Sequence, residues 1–197
     1  MITLRIDSIS GHFRIPGQIP LLALVPSYPF CPPSTMQGCL EAFTASRKGS
    51  FRGEFRYGAF RPPGGWGTLL RQAQIWASKK KDQQRAPNDY EVMRPVHVEK
   101  WYDLSHCVQV RGPWEDKIRE TLEKGRDDFF GVLYLGESQD LITWIGETDD
   151  PLDKVQWLVP GSQMQLPVKT LYGYRNYGPT LKGFDLRITK NPAWMTR

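Results

Sequence analysis

SYPFCPPSTMQGCLEAFTA, residues 27–45, is the stretch around which the chain is organised. Tyr28-Pro29 and Pro32-Pro33 hold the backbone extended, because the proline ring fixes φ and disfavours helix one residue earlier. Ser34 or Thr35 then opens a helix, and Ser34 with Gln37 three residues on spells a capping box. Met36, Leu40 and Phe43 give that helix an apolar stripe. A rigid lead-in thus delivers a helix N-terminus, which suits a phosphate. On physics alone the same residues make an ordinary proline-stiffened loop with a cap.

Upstream, Ile2, Leu4 and Ile6 alternate with Thr3, Arg5 and Asp7, the pattern of a half-buried strand. Gly11, Pro16 and Gly17 predict a loop over Ser8–Gln18, with Arg14 between Phe13 and Ile15. Downstream, residues 46–90 are basic and aromatic. Arg47, Lys48, Arg52, Arg56, Arg61 and Arg71 interleave with Phe51, Phe55, Tyr57, Phe60, Trp66 and Trp76, and Lys79-Lys80-Lys81 follows. The break at Pro62-Pro63-Gly64-Gly65 predicts a hairpin that pairs Phe51–Phe60 with Thr68–Trp76. Basic residues attract phosphate without reading sequence, and aromatic faces accept unstacked bases. An exposed hairpin whose aromatics merely pack down has the same composition.

Met93–Tyr102 and His106–Val110 read as two strands, with Val96/Val98 and Val108/Val110 alternating. His97, Lys100 and Tyr102 are residue types that serve acid–base and charge-stabilising chemistry. Strand alternation sets His97 opposite the other two, so structural roles are expected. Pro113–Gly125 is the clearest helix, with Trp114, Ile118 and Leu122 on one face and Glu115 and Asp116 near its positive end. Phe129–Ser138 reads as a buried strand closed by a glycine turn, and Leu141–Ile145 as a short strand. Beyond Pro151 the chain reads as irregular, through Pro160-Gly161, Val168–Tyr174, a Tyr/Gly/Asn-rich turn to Pro179 and then Gly183–Ile188. Tyr172, Tyr174, Arg175 and Tyr177 form either an interaction patch or a hairpin edge.

Two segments carry a family resemblance. Gly11-His12-Phe13-Arg14-Ile15-Pro16, followed by Ser-Tyr-Pro-x-x-Pro-Pro-Ser-Thr-x-x-Gly-x-Leu-x-Ala from Ser27 to Ala42, resembles the amino-terminal signature of CRISPR-associated family five of the RAMP superfamily. Leu133-Tyr134-Leu135-Gly136-x-Ser138 is a second, weaker match, in which Glu137 replaces the arginine common in the family. The resemblance implies an α+β, ferredoxin-like (RNA-recognition-type) core forming one domain over 1–197, with a thumb inserted at about 46–90. It implies a subunit that caps the 5′ handle of CRISPR RNA in type I surveillance complexes (Cascade), part of antiviral defence. The implied partners are that RNA, a backbone subunit of family seven, a large subunit that reads the protospacer-adjacent motif, and target DNA near that motif. Composition and resemblance together nominate Arg14, Tyr28, Ser34, Thr35, Gln37, Arg47, Lys48, Arg52, Arg56, Arg61, Lys79, Lys80 and Lys81 for RNA contact. No catalytic residue, metal or cofactor is assigned. The alternative is a metal-independent endoribonuclease that processes precursor CRISPR RNA. Some family members use a Tyr, a Lys and a His for that reaction, but no adjacent Lys-His pair occurs here.

Bulk properties fit this picture. The chain has 197 residues and a formal net charge of +5, which favours an acidic partner. Residues 46–100 hold 12 Lys and Arg against 5 Asp and Glu, whereas residues 112–153 hold 4 against 12. The basic blocks suit nucleic acid and the acidic block suits solvent or a basic protein neighbour. Cys31, Cys39 and Cys107 have neither disulfide-framework nor zinc spacing, so a reducing, cytoplasmic setting is expected. Neither a signal peptide nor a membrane span is expected.

Overall fold

A computed structural model describes residues 1–14, 24–25, 27–28, 30–76, 91–124, 132–135, 139–160, 168–170, 173–175 and 184–196. Strand β1 is Ile2–Gly11, and β2 is Phe13–Arg14. Two short strands follow, β3 (Leu24–Val25) and β4 (Ser27–Tyr28), and then helix α1 (Pro33–Phe43). Strands β5 (Glu54–Ala59), β6 (Gly65–Trp76) and β7 (Glu91–Arg111) lead to helix α2 (Pro113–Lys124). Strand β8 is Ile142–Glu147 and β9 is Gln156–Pro160. The carboxy-terminal part adds β10 (Val168–Thr170), β11 (Gly173–Arg175), β12 (Phe184–Ile188) and β13 (Met195–Thr196). The region after Pro151 is therefore more regular than its sequence reads.

The central sheet runs β12-β9-β5-β7-β1-β8. Four of its strands, β5-β7-β1-β8, follow in chain order as β1-α1-β5-β7-α2-β8, with every neighbouring pair antiparallel. Each helix joins two strands that flank a third. This is the split-βαβ, ferredoxin-like arrangement. Alternation sets the layers: Ile2, Leu4 and Ile6 are fully buried, each worth about 1.5–3 kcal/mol of transfer. They join Phe55, Tyr57, Val108 and Val110 of the sheet with Met36, Leu40 and Phe43 of α1 and Trp114 and Ile118 of α2. A smaller cluster of Cys107, Val155 and Trp157, with Phe60, Leu152 and Val159 against it, covers part of the other face.

Helix α1 starts two residues earlier than the capping-box spelling predicts. Pro32 is the N-cap and makes no side-chain capping bond; Pro33 occupies the first turn, where its missing N–H costs nothing. Ser34 is exposed within that turn, and Gln37 turns instead to Glu41, its Nε2 donating to Oε1 at 3.0 Å. The helix closes in a Schellman pattern, with Ser46 N–H donating to Glu41 O and Ala45 N–H to Ala42 O.

The hairpin predicted between Phe51–Phe60 and Thr68–Trp76 does not form. Both β5 and β6 pair with β7, from Glu54↔Arg111 to Ala59↔His106 and from Gly65↔Tyr102 to Trp76↔Glu91. They lie end to end along one edge of β7, so Phe60–Gly64 is a bulge of five residues opposite the three of Asp103–Ser105. Phe60 N–H donates to Ser105 O and Gly64 N–H to Tyr102 O, closing it. The two strands predicted over Met93–Val110 are accordingly one strand of 21 residues. Its second half is core, and its first half forms with β6 a ribbon extending beyond the core pairing. Glu54–Ala59 thus pairs within the central sheet. Of the strand predicted over Phe129–Ser138, residues 129–131 and 136–138 lie outside the described residues; within it Tyr134 makes an isolated bridge to Leu141 and is exposed, whereas Leu133 and Leu135 are buried. Among the described residues no helix is long and apolar enough to cross a membrane.

Candidate nucleic-acid interface

The loop predicted over Ser8–Gln18 is tied down over its described part, Ser8–Arg14; residues 15–18 lie outside the described residues. β1 runs on to Gly11, and Phe13 and Arg14 pair with Tyr28 and Ser27 in a short ladder. Phe13 N–H donates to Ser27 Oγ at 2.8 Å, and Ser27 N–H donates to Glu99 Oε2 at 3.0 Å. His12 is buried, its Nδ1 2.8 Å from Glu99 O and its backbone N–H donating to Asp140 Oδ2 at 2.8 Å. The other oxygen of Asp140 accepts from Ser10 Oγ at 2.7 Å and from Lys100 Nζ at 2.6 Å. The two motif-bearing regions therefore meet at Asp140: its carboxylate holds His12, 128 residues away in sequence, and its carbonyl accepts from Leu135 N–H. From this anchorage β4 passes through Phe30 and Cys31 to the start of α1. Tyr57 Oη donates to Cys31 O at 2.6 Å, fixing that lead-in from the sheet.

The backbone of Arg14 stands opposite Ser27, six residues ahead of Pro33. Ser34 is exposed and Thr35 half-buried at the helix start. Tyr28, nominated for RNA contact, is instead buried beside Phe30, with ring centroids 6.0 Å apart. At the far end of α1, about 16 Å away for 11 residues, Glu41 is buried and accepts from Gly49 N–H (2.8 Å) and Phe51 N–H (2.9 Å). That carboxylate shapes a loop on which Arg47 and Lys48 are exposed. Arg52 is also exposed, and its Nη1 donates to Phe51 O at 2.9 Å.

Arg56 and Arg61 are less available than their sequence context implies. Arg56 donates from Nε to Gln109 Oε1 (2.6 Å) and from Nη1 to Pro192 O (3.1 Å). Its guanidinium lies 4.4 Å from the Trp194 ring and 5.3 Å from Trp157. Burial, then the nearby charge of Arg111, pulls its pKa below the usual arginine value. It serves as a clamp for the carboxy-terminal segment. Arg61 pairs with Asp103 at the bulge. Lys79, Lys80 and Lys81 lie outside the described residues, as do Gly136, Glu137, Tyr172 and Tyr177.

The structure does not bring His97, Lys100 and Tyr102 together. His97 is exposed opposite Leu70 on the ribbon, whereas the Lys100 ammonium is enclosed against Asp140. Burial pushes the Cys107 thiol up to about 12 and the Cys31 thiol well above its usual value, so neither is a thiolate near neutral pH. Sequence reasoning missed Asp140 and Glu41. The Gln37/Glu41 spacing of four was a readable signal for the second, but the partners of Asp140 are too distant in sequence to be read.

No family model and no curated protein matches the chain. Among solved structures it is similar to a chain of a "CRISPR RNA-guided surveillance complex", at 17% identity and TM-score 0.48, over 78% of this chain and 61% of that one. It is also similar to a "CRISPR-associated Protein" (12% identity, TM-score 0.42, 75% of this chain and 66% of that one) and to a "Cas protein" (13%, 0.41, 76% and 63%). The chain spans about three fifths of the first of these.

Proposed function

We propose that this chain binds the 5′ handle of CRISPR RNA in a type I surveillance complex, and that it binds without cutting. One observation carries the reading. Asp140, two residues beyond the second family-like segment, accepts from His12 N–H of the first and, through its carbonyl, from Leu135 N–H of the second, and Arg14 stands on the β2–β4 ladder just ahead of the Pro33 helix start. A pre-ordered site loses little entropy when RNA arrives. Exposed Arg47, Lys48 and Arg52 at the other end of α1 add sequence-blind attraction. The family resemblance adds the proposed protein partners: a backbone subunit of family seven, and a large subunit beside the protospacer-adjacent motif and its DNA. The ribbon of β6 with the first half of β7 is the proposed thumb.

The test uses two single-stranded RNAs at one salt concentration. One carries the repeat-derived 5′ end of the adjoining array; the other has that end scrambled. Arg14→Ala weakens the first by about tenfold or more, the worth of a charge-assisted hydrogen bond, and the second much less. Arg14→Lys restores binding in part, because an ammonium does not reproduce the planar donor pair. Equal loss on both RNAs would reduce Arg14 to a generic phosphate contact, and no loss would remove it from the site. Cleavage of precursor repeat RNA that disappears in His97→Ala would overturn the binding-only reading.

A further inference from the structure

Lys100 and Asp140 form an ion pair in the interior, the lysine 3% and the aspartate 0% exposed. Enclosing two charges is costly, and an apolar pair of similar volume stabilises a fold as well or better. The pair borders the apolar core at Phe13, Leu133 and Leu135, where an apolar pair would pack at least as well. Stability alone does not account for the pair. The Asp140 carboxylate does something no apolar side chain can do: among the described residues it accepts from donors on three segments. Ser10 Oγ comes from the end of β1, His12 N–H from the link to β2, and Lys100 Nζ from the base of the ribbon. The bonds then run outward without a gap. Glu99, next to Lys100, holds the His12 ring through its carbonyl and Ser27 N–H through its carboxylate, and Ser27 Oγ holds Phe13 N–H. Arg14 is the next residue along.

We propose that Lys100 and Asp140 are positioning residues for the 5′-handle site, fixing the β2–β4 ladder to the base of the ribbon. This rests on the function proposed above. Neither side chain touches RNA. The ammonium gives the enclosed carboxylate a buried counter-charge and one of its hydrogen bonds. The carboxylate in turn sets where Arg14 and the lead-in to α1 stand.

The discriminating quantity is the ratio of affinities for handle-bearing and scrambled-end RNA. A variant that is merely less well folded loses both in proportion and leaves the ratio alone. The experiment compares the full chain with Lys100→Met/Asp140→Leu and with the nearly isosteric Asp140→Asn, whose amide turns one acceptor into a donor. Thermal unfolding is followed alongside binding. The double variant melts within a few degrees of the parent, while its ratio falls by about tenfold, equivalent to one charge-assisted hydrogen bond. Asp140→Asn lowers the ratio as well, and it carries the test if the double variant fails to fold. A parent that prefers handle-bearing RNA, with an unchanged ratio in Asp140→Asn, would overturn the positioning role alone. A parent with no preference would overturn the handle reading, and the positioning role with it.

Discussion

His106 stands on β7 opposite Ile6 and Ala59, buried, and its Nδ1 has no hydrogen-bond partner among the described residues. Burial pulls its pKa from 6.5 down to about 4, against a smaller upward pull from Asp7. The folded chain therefore holds the ring neutral where the unfolded chain would protonate it. The unfolded state binds more protons between those values, so this contribution is complete above about pH 6.5 and is lost as pH falls towards about 4. The loss amounts to about 3 kcal/mol at 1.36 kcal/mol per pH unit. Urea midpoints at pH 7 and pH 4.5 should separate more in the parent than in His106→Gln. Equal separations would show that another group carries the pH dependence.

Among the elements, β7 decides most of the architecture, because it is both the ribbon's second strand and the centre of the core sheet. The change of role falls at Asp103, whose φ of 53° is left-handed. A Cβ on Gly64 would come within 2.6 Å of the Asp103 carboxylate, so the bulge closes tightly on that side chain. Aspartate tolerates this conformation better than a branched residue, which costs about 1–2 kcal/mol there. Asp103→Val should lower stability by that amount. Asp103→Gly should stay close to the parent, since glycine accepts the conformation and the exposed Arg61 pair is worth about 1 kcal/mol at most. Thermal melts of the two variants separate these cases. Similar losses in both would assign the effect to the ion pair rather than the backbone.

On the scale of the whole molecule, the sheet face away from the helices is not a free RNA platform. Strand β9 docks beside β5, and Trp157 comes down over it. Trp194 is stacked by Arg56 and by Arg111, which lies 4.2 Å from its ring. The approach depends on Gly58. A Cβ there would meet Gln156 O at 2.3 Å and Trp157 Cα at 2.7 Å, both backbone atoms that cannot swing aside. Gly58→Ala should therefore destabilise the chain by about 1–3 kcal/mol, as overpacking does. An unfolding midpoint equal to the parent's would mean that β9 can shift at little cost.

The sequence by itself determined the elements whose signal is local. Ile2, Leu4 and Ile6 declare a strand and its buried face, and Met36, Leu40 and Phe43, like Trp114 and Ile118, declare helices and theirs, because side-chain direction repeats with a fixed period. The proline lead-in to α1 was equally legible, since each ring restricts its own φ and its predecessor. Only the tertiary structure decided the partners. Strands β5 and β6 alternate in a way that fits either a shared hairpin or a common edge of β7, and alternation names a strand's faces without naming its neighbour. The same holds for the charged residues. Nothing near Arg56 in sequence announces Trp157 and Trp194, and nothing near Lys100 announces Asp140, 40 residues away. Whether a basic side chain faces solvent or a buried partner depends on long-range packing, so the composition that marked a basic region could not say which of its residues remain exposed.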